Sequence, residues 1–361
     1  MATPRLEINL DKIAHNTKVL SQLYGSKSID VCAVTKVVCG DLTIAKCLVT
    51  AGITMIADSK VANLKKMRKG DINATFLLIG TPLLSQAAEI VEWADISHNS
   101  EPAVIAELGR QALKKGINHQ IILMIEMGDL REGIMPESLD EVVNEVLKLE
   151  GIELIGLGTN LACFGSIQPS QEKMNSLSKL SDQVERKFHL KFRYVSGGNS
   201  ANYNWFKSTH STERINQLRI GESIFLGVEP VHRHPIPDLF TDAFTVVTEV
   251  CELKIKPSVP YGETGQNAFG HVLQFTDKGE IPRAILGMGL QDVDVSGLRP
   301  MLDIDILGAG SDQMIIDPKN TDLRVGDEVS FMPNYAALLS AMTSPYVEKS
   351  MTLSCEREGI L

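Results

Sequence analysis

Short apolar runs alternate with amphipathic helical patterns through most of the chain, after an opening helical pattern from Asp11 to Tyr24. Eight such runs stand out, and seven of them precede a helical or less well-defined segment. The runs are DVCAVTKV, TMIADS, TFLLIG, DISHNS, QIILMIEMG, GIELIGLGTN, FRYVSGGNS and LRIGESIFLG. Parallel strands joined by crossover helices produce this order, and a count of eight favours a closed barrel over an open sheet.

The pattern changes from about Pro235 onward, where short segments rich in β-formers are separated by turns containing Gly, Pro and Asp. FTVVTEVCELKIK, QMIID and DEVSFM are examples, and no long helical pattern interrupts them. We therefore predict an α/β fold, a (β/α)8 TIM barrel over residues 8–234 followed by a mostly β domain over residues 235–361. The N-terminal RLEINLD is strand-like, so residues 1–7 are expected to belong to the second domain.

Composition and charge exclude several classes of partner. The formal net charge is -10, from 35 Lys and Arg against 45 Asp and Glu, and the positive charges are dispersed, so nucleic acid is not an expected partner. The start of the chain has neither a basic segment nor an apolar core, and no apolar stretch approaches the roughly 18 residues of a membrane helix. We therefore expect a cytoplasmic protein without membrane contact.

Lys36 lies in the first apolar run, where an unpaired ammonium would be costly to bury. In a barrel of this kind chemistry takes place at the C-terminal ends of the strands, and Lys36 falls at or near such an end. A desolvated amine there loses part of its proton affinity and can form a Schiff base with an aldehyde or ketone. The alternative is a lysine paired with a neighbouring carboxylate, and spacing alone leaves both interpretations open.

The turns after the seventh and eighth runs, SGGNSAN and LRIGES, combine glycines with free backbone amides. Gly197, Gly198, Ser200 and Gly221 are therefore candidates to hold a dianionic phosphate, because barrels often bind phosphate at these two loops. GGNS taken alone is more typical of an ordinary turn. A phosphate site beside a Schiff-base lysine indicates either a pyridoxal phosphate enzyme or a sugar-phosphate aldolase.

Several motifs carry a family resemblance, in order along the chain: LEINLDKIAHNTKVL, AVTKVV, IEMGDLREGI, TNLACFG, GGNSAN, LRIGESIFLG, VPYGETG and SDQMIID. Together they resemble the alanine racemase type of pyridoxal phosphate enzymes. SGGNSAN and GLQDVD are most similar to the ornithine racemase branch, which includes enzymes acting on lysine and other amino acids. The resemblance implies a pyridoxal 5'-phosphate-dependent racemase of ornithine or lysine, with alanine racemase as the alternative.

The resemblance also implies two catalytic bases, because racemisation moves protons on both faces of the α-carbon. Lys36 matches the lysine that binds the cofactor and serves as one base. Tyr261 matches the second base, which comes from the partner subunit, so a head-to-tail homodimer is expected. Arg219 matches the arginine that faces the cofactor's ring nitrogen, and Arg131 matches one placed near the substrate carboxylate.

Some positions depart from the family pattern. Asn160 replaces a histidine expected against the cofactor ring, Ser196 replaces one near Arg219, and Gly40 stands where a phosphate-binding tyrosine is usual. Ser311 stands in place of a substrate-positioning methionine. The implied cofactor-binding set is Lys36, Asn160, Gly198, Ser200, Arg219, Gly221 and Glu222, and the implied substrate-binding set is Arg131, Ser311 and Asp312.

A side-chain ammonium, as in ornithine or lysine, needs an acceptor, and Asp292, Asp294 and Asp312 are the candidates on charge complementarity. A decarboxylase of basic amino acids is a rival, but VEP is followed by VHRHP and SDQ contains no cysteine. A non-catalytic cofactor carrier of this type would lack the second domain. His271, Cys251 and Cys355 do not have the spacing of a metal site, so no metal is expected.

Overall fold

The computed structural model describes residues 3–267, 269–270, 272 and 274–352. The chain divides into two compact units. One unit runs from Lys12 to Thr241, and the other combines the residues up to Asp11 with those from Asp242 onward. Each unit is described by itself below.

The first strand of the chain is β1 (Arg5–Asn9), which belongs to the second unit. The following eight strands, within the described part of the chain, close into a parallel barrel in sequence order, and the last pairs with the first. They are β2 (Asp30–Val34), β3 (Met55–Asp58), β4 (Thr75–Leu78), β5 (Ile96–Asn99), β6 (His119–Met124), β7 (Ile152–Gly158), β8 (Tyr194–Asn199) and β9 (Gln217–Ile220). The predicted barrel is therefore confirmed.

The helices of the barrel unit alternate with its strands, and the first helix precedes the first of these strands. They are α1 (Leu10–Gly25), α2 (Leu42–Thr50), α3 (Val61–Lys69), α4 (Ala87–Trp93), α5 (Pro102–Lys114), α6 (Leu139–Val146), α7 (Gln171–Phe188), α8 (Tyr203–Ser208) and α9 (Glu222–Leu226). Local chemistry fixes their starts: the Asp41 carboxylate accepts the Thr43 and Ile44 N–H groups at 2.9 and 3.0 Å, and Pro102 opens α5.

The inside of the barrel is filled by alternate residues of its strands, as the two-residue period of a strand requires. Cys32 and Val34 from β2, Met55 and Ala57 from β3, and Met124 from β6 belong to this buried cluster. Since β2 ends at Val34, Lys36 opens the turn that follows the strand. The apolar cluster therefore reaches Val34 at the C-terminal end of β2, and Lys36 follows two residues later.

The second unit is built mainly on antiparallel strands: β10 (Phe244–Pro257), β11 (Glu280–Leu286), β12 (Leu298–Pro300), β13 (Asp305–Ala309), β14 (Met314–Asp317), β15 (Glu328–Pro333) and β16 (Glu348–Thr352). The sheet has the order β12-β15-β10-β11-β14-β13. β1 pairs antiparallel with β10 and parallel with β16. The predicted mostly β character of this domain is confirmed.

The second unit also contains a helix, α10 (Tyr335–Thr343), which was not predicted because the segments from Pro235 onward show no long helical pattern. Its sequence YAALLSAMT is apolar almost throughout, so it lacks the polar face that reveals a helix by periodicity. Asn334 caps it, because its side chain accepts the Ala337 N–H at 3.0 Å. Burial of Leu338 and Ala341 then holds it against the unit.

Among the residues that the structure describes, every helix is too short or too polar to traverse a bilayer.

Candidate active site

Lys36 follows a residue that is tied firmly to the neighbouring strand. The Thr35 N–H donates to the Ala57 carbonyl at 2.9 Å, and the Thr35 hydroxyl donates to Asp58 Oδ2 at 2.9 Å. Asp58 Oδ1 accepts the Lys60 N–H at 2.9 Å and the Asn63 amide at 3.0 Å. Burial raises the pKa of Asp58, although these hydrogen bonds act in the opposite direction. The backbone from which Lys36 projects is thus fixed at the C-terminal end of β2.

Arg219 is a buried cation on β9, only 3% exposed. Nη1 donates to the Ser196 hydroxyl at 2.5 Å, and Nη2 donates to the Thr159 carbonyl at 2.7 Å and Asn160 Oδ1 at 3.4 Å. These acceptors are all neutral. Burial therefore lowers the pKa of Arg219 to about 10, which still leaves the guanidinium charged at neutral pH.

Two further titratable groups inside the barrel are held neutral. His98, on β5, is buried, and both burial and the charge of Arg219 keep the pKa of its imidazole well below the ordinary value. Burial raises the pKa of the Cys32 thiol to about 12. Arg219 therefore lies in an interior whose nearby imidazole and thiol carry no charge at neutral pH.

The loops after β8 and β9 meet around Ser200. Its hydroxyl oxygen accepts the N–H groups of Gly221 and Ser223, each at 3.3 Å. A Cβ at Gly221 would lie 3.1 Å from the Val34 carbonyl oxygen, so glycine lets this loop approach the end of β2. A Cβ at Gly198 would lie 2.3 Å from Asn202 Oδ1. The glycines of the two predicted phosphate loops thus allow close packing, of Gly198 against Asn202 and of Gly221 against the end of β2.

Asn160 and Asn199 connect this region to Arg219. Asn199 Nδ2 donates to Asn160 Oδ1 at 3.0 Å and to the Leu161 carbonyl at 2.8 Å. Asn160 Nδ2 in turn contacts Cys163 Sγ at 2.9 Å. Asn199 was not among the predicted site residues. Its position between the predicted residues Gly198 and Ser200 could have indicated that it belongs to the same loop.

Arg131 lies in the loop after β6, where it forms an ion pair with Glu132 that raises its pKa. Two residues before it, the buried Asp129 carboxylate accepts backbone N–H groups from the loop after β7. Sequence reasoning did not single out Asp129, because its partners are 34 to 36 residues away along the chain. Glu222, a predicted cofactor contact, is the first residue of α9 and pairs with Arg233.

The remaining predicted residues belong to the second unit, and are described there alone. Tyr261 is 91% exposed. Ser311 and Asp312 are exposed, and the Ser311 hydroxyl donates to Asp312 Oδ1 at 3.2 Å. Of the other acidic candidates, Asp292 accepts the Gly289 N–H at 2.9 Å and Asp294 accepts from Ser296, so both carboxylates serve in turns.

The donors in the barrel unit fit pyridoxal phosphate. A lysine amine at a strand end suits an aldehyde, a buried guanidinium with neutral acceptors suits a ring nitrogen, and close-packed amides beside Ser200 suit a phosphate. For a metal, the described residues contain no group of three or more His, Cys, Asp or Glu side chains able to hold an ion. His271 and Cys355 lie outside the described residues.

The sequence also matches a known family model, described as the alanine racemase N-terminal domain, over residues 8–229. The chain belongs to the alanine racemase family. An ornithine racemase from Acetoanaerobium sticklandii is 37% identical over 352 residues, which are 96% of this chain and 99% of that protein. A lysine racemase from Thermotoga maritima is 37% identical over 351 residues, 97% of this chain and 98% of that protein. Membership of this family, with racemases aligned over nearly the whole chain, makes the protein an amino acid racemase.

Solved structures of the family share the fold. An alanine racemase from Streptomyces lavendulae superposes with a TM-score of 0.76 at 16% identity and covers 100% of both chains. One from Bartonella henselae, described with covalently bound pyridoxal phosphate, has a TM-score of 0.75 at 17% identity and covers 98% of this chain and 100% of that one. These structures therefore support the combination of a barrel with a C-terminal β domain.

Proposed function

We propose that the protein is a pyridoxal phosphate-dependent racemase that interconverts the L and D enantiomers of ornithine or lysine. The observation that carries this proposal is the 37% identity to an ornithine racemase over 96% of the chain. The equal identity to a lysine racemase extends the substrate class to both diamino acids. The geometry around Lys36 and Arg219 supplies the donors that such a reaction requires.

The barrel unit would hold the cofactor. Lys36 Nζ would bind its aldehyde carbon, Arg219 would face its ring nitrogen, and the amides around Ser200 and Gly221 would bind its phosphate. When bound, the cofactor withdraws electrons from the substrate and makes the α-proton acidic. Arg219 keeps its own proton, because even the lowered pKa of about 10 lies well above neutral pH. Lys36 Nζ would serve one face of the α-carbon, removing the proton in one direction of the reaction and donating it in the other, while the second base does the opposite on the other face.

Tyr261 of the partner subunit would act on the opposite face, which requires a head-to-tail homodimer. In favour of this, Tyr261 is 91% exposed in its own chain, and the same unit also exposes Ile255 and Val272. The barrel unit exposes Leu130 and Phe164 in the loops near Arg131. Exposed apolar groups of this size favour a subunit interface. The Tyr261 hydroxyl needs a nearby positive charge to act as a base at neutral pH, since an ordinary tyrosine titrates near pH 10.

The substrate would be held at both ends. Arg131 would bind the α-carboxylate, because a guanidinium offers a fixed pair of donors to such an anion. Asp312, with Ser311 beside it, would accept the side-chain ammonium. Asp312 is chosen among the three acidic candidates because it is exposed, whereas Asp292 is buried and the Asp294 carboxylate accepts the Ser296 backbone N–H.

The direct test is an enantiomer assay. Purified protein and pyridoxal phosphate are incubated separately with L-ornithine, L-lysine and L-alanine, and the products are resolved by chiral chromatography. We expect D-ornithine or D-lysine to form faster than D-alanine. Faster turnover of alanine would favour an alanine racemase, release of carbon dioxide from ornithine would favour a decarboxylase, and absence of any turnover would refute an enzymatic role.

The cofactor attachment is tested independently of turnover. Borohydride treatment of the cofactor-loaded protein, followed by peptide mapping, should find the label on Lys36. Lys36→Ala should be neither labelled nor active, whereas Lys46→Ala, which changes an exposed lysine of α2, should behave as the unmodified protein. A label on another lysine would refute the assignment of Lys36.

A further inference from the structure

Asp129 joins two loops at the C-terminal end of the barrel. The residue is only 2% exposed. Oδ1 accepts the N–H groups of Cys163 and Gly165, each at 3.1 Å, and Oδ2 accepts that of Phe164 at 2.9 Å. Consecutive backbone amides of the loop after β7 therefore converge on one carboxylate from the loop after β6.

The loop after β7 adopts backbone conformations that non-glycine residues disfavour. Ala162 and Ser166, which flank the amides, both adopt positive φ, at 54° and 56°. A Cβ at Gly165 would lie 2.7 Å from the Asp129 carbonyl oxygen, so only glycine fits there. The conformation of this loop is consequently built around Asp129.

Each of the two loops carries a residue of the proposed site. Arg131 follows Asp129 by two positions in the first loop. In the second, Asn160 contacts Cys163 Sγ at 2.9 Å and Arg219 Nη2 at 3.4 Å. The Asp129 carboxylate thus connects the loop of the substrate-binding arginine with the loop that contacts the buried arginine.

We propose that Asp129 is a positioning residue that fixes Arg131 relative to Asn160 by clamping the loop of residues 160–166. This inference rests on the proposed function for the role of Arg131. Asp129 does not itself bind a substrate ammonium, because its oxygens already accept three N–H groups and the side chain is buried. It acts through the two loops and touches no reacting atom.

The test compares graded variants with a matched control. Asp129→Asn retains one oxygen for the Cys163 and Gly165 amides but places an NH2 group against the Phe164 N–H, and Asp129→Ala removes all three acceptor contacts. Asp140→Asn, an exposed carboxylate of α6, is the control.

For L-ornithine, we expect KM to rise by about 10- to 100-fold in Asp129→Asn and further in Asp129→Ala. The change in kcat should be smaller, because these variants displace Arg131, which binds the substrate carboxylate. Cofactor affinity should change less than KM, since Lys36, Ser200 and Gly221 lie outside the clamped loop and only Asn160 of the implied cofactor-binding set lies within it. The control should retain its KM.

Amide hydrogen exchange gives a second readout that does not depend on turnover. Exchange of residues 160–166 should accelerate in Asp129→Asn, while the barrel strands should exchange as in the unmodified protein. Unchanged exchange together with unchanged KM would overturn the proposal, and so would a decrease confined to kcat.

Failure of this proposal can be distinguished from failure of the proposed function. If the unmodified protein racemises no substrate, the proposed function fails, while the exchange result still decides whether the clamp exists. If Asp129→Ala does not fold, the nearly isosteric Asn variant decides.

Discussion

Acidification should destabilise the protein through His119, a site remote from the proposed chemistry. This residue begins β6, is 1% exposed, and its Nε2 lies 2.9 Å from the Ser97 hydroxyl. Burial lowers the pKa of His119 from 6.5 to about 4, and the charge of Asp95 opposes the shift only in part. Between pH 6.5 and 4, the His119 imidazole is therefore protonated more readily in the unfolded state than in the folded state.

The magnitude follows from linkage between protonation and folding. Each pKa unit corresponds to about 1.4 kcal/mol, so this shift corresponds to a loss of about 3 kcal/mol of folding stability. Because the folded pKa is the lower one, the stability is present above pH 6.5 and is lost as the pH falls from 6.5 toward 4.

The assay is urea unfolding of the cofactor-free protein at a series of pH values between 7 and 4, with His119→Gln measured in parallel. Glutamine can keep a hydrogen bond to Ser97 but does not titrate in this range. The contribution of His98 is common to both proteins and cancels in the difference. We expect the unmodified protein to lose about 3 kcal/mol more than the variant across this range. Parallel pH curves for the two proteins would refute the reasoning.

Three substitutions give further expectations. Lys36→Ala should abolish the visible absorbance of the bound cofactor together with racemisation, and retention of either would contradict its role. Tyr261→Phe should keep the absorbance but lower kcat by roughly 10²-fold or more, so a fully active variant would refute the two-base proposal. Gly198→Ala should destabilise the protein by about 1–3 kcal/mol in urea unfolding, since φ is 139° and the new Cβ would meet Asn202, whereas Gly25→Ala, with open space at its Cβ, should not.

Much of the barrel could be predicted because its strands and helices have recognisable local sequence patterns. Buried parallel strands are short apolar runs, and the intervening helices show periodic polar faces with glycines or caps at their ends. The position of Lys36 at a strand end followed from the same pattern, and the structure has β2 ending at Val34. The meeting of the Ser200 and Gly221 loops followed from the topology, because neighbouring strands of a parallel barrel end at the same rim.

Other features could not be predicted because they depend on contacts distant in sequence or on packing alone. The Asp129 clamp joins residues 34 to 36 positions apart and leaves no periodic signal. The uniformly apolar α10 is stabilised by its burial, so its helical state was not visible in the pattern of polar positions. The neutral state of His98 likewise arises from enclosure and from the charge of Arg219, neither of which a single sequence displays.

The pairing of β1 has a consequence for the order in which the protein matures. Arg5–Asn9 leaves the ribosome early, but one of its two hydrogen-bonding edges is completed only by Glu348–Thr352. All strands of the barrel emerge during that delay, so the barrel is free to form while this edge is still open. A chain that stops before residue 348 would therefore contain the whole barrel but leave one edge of β1 exposed. Such an exposed β-edge favours aggregation or binding by a chaperone.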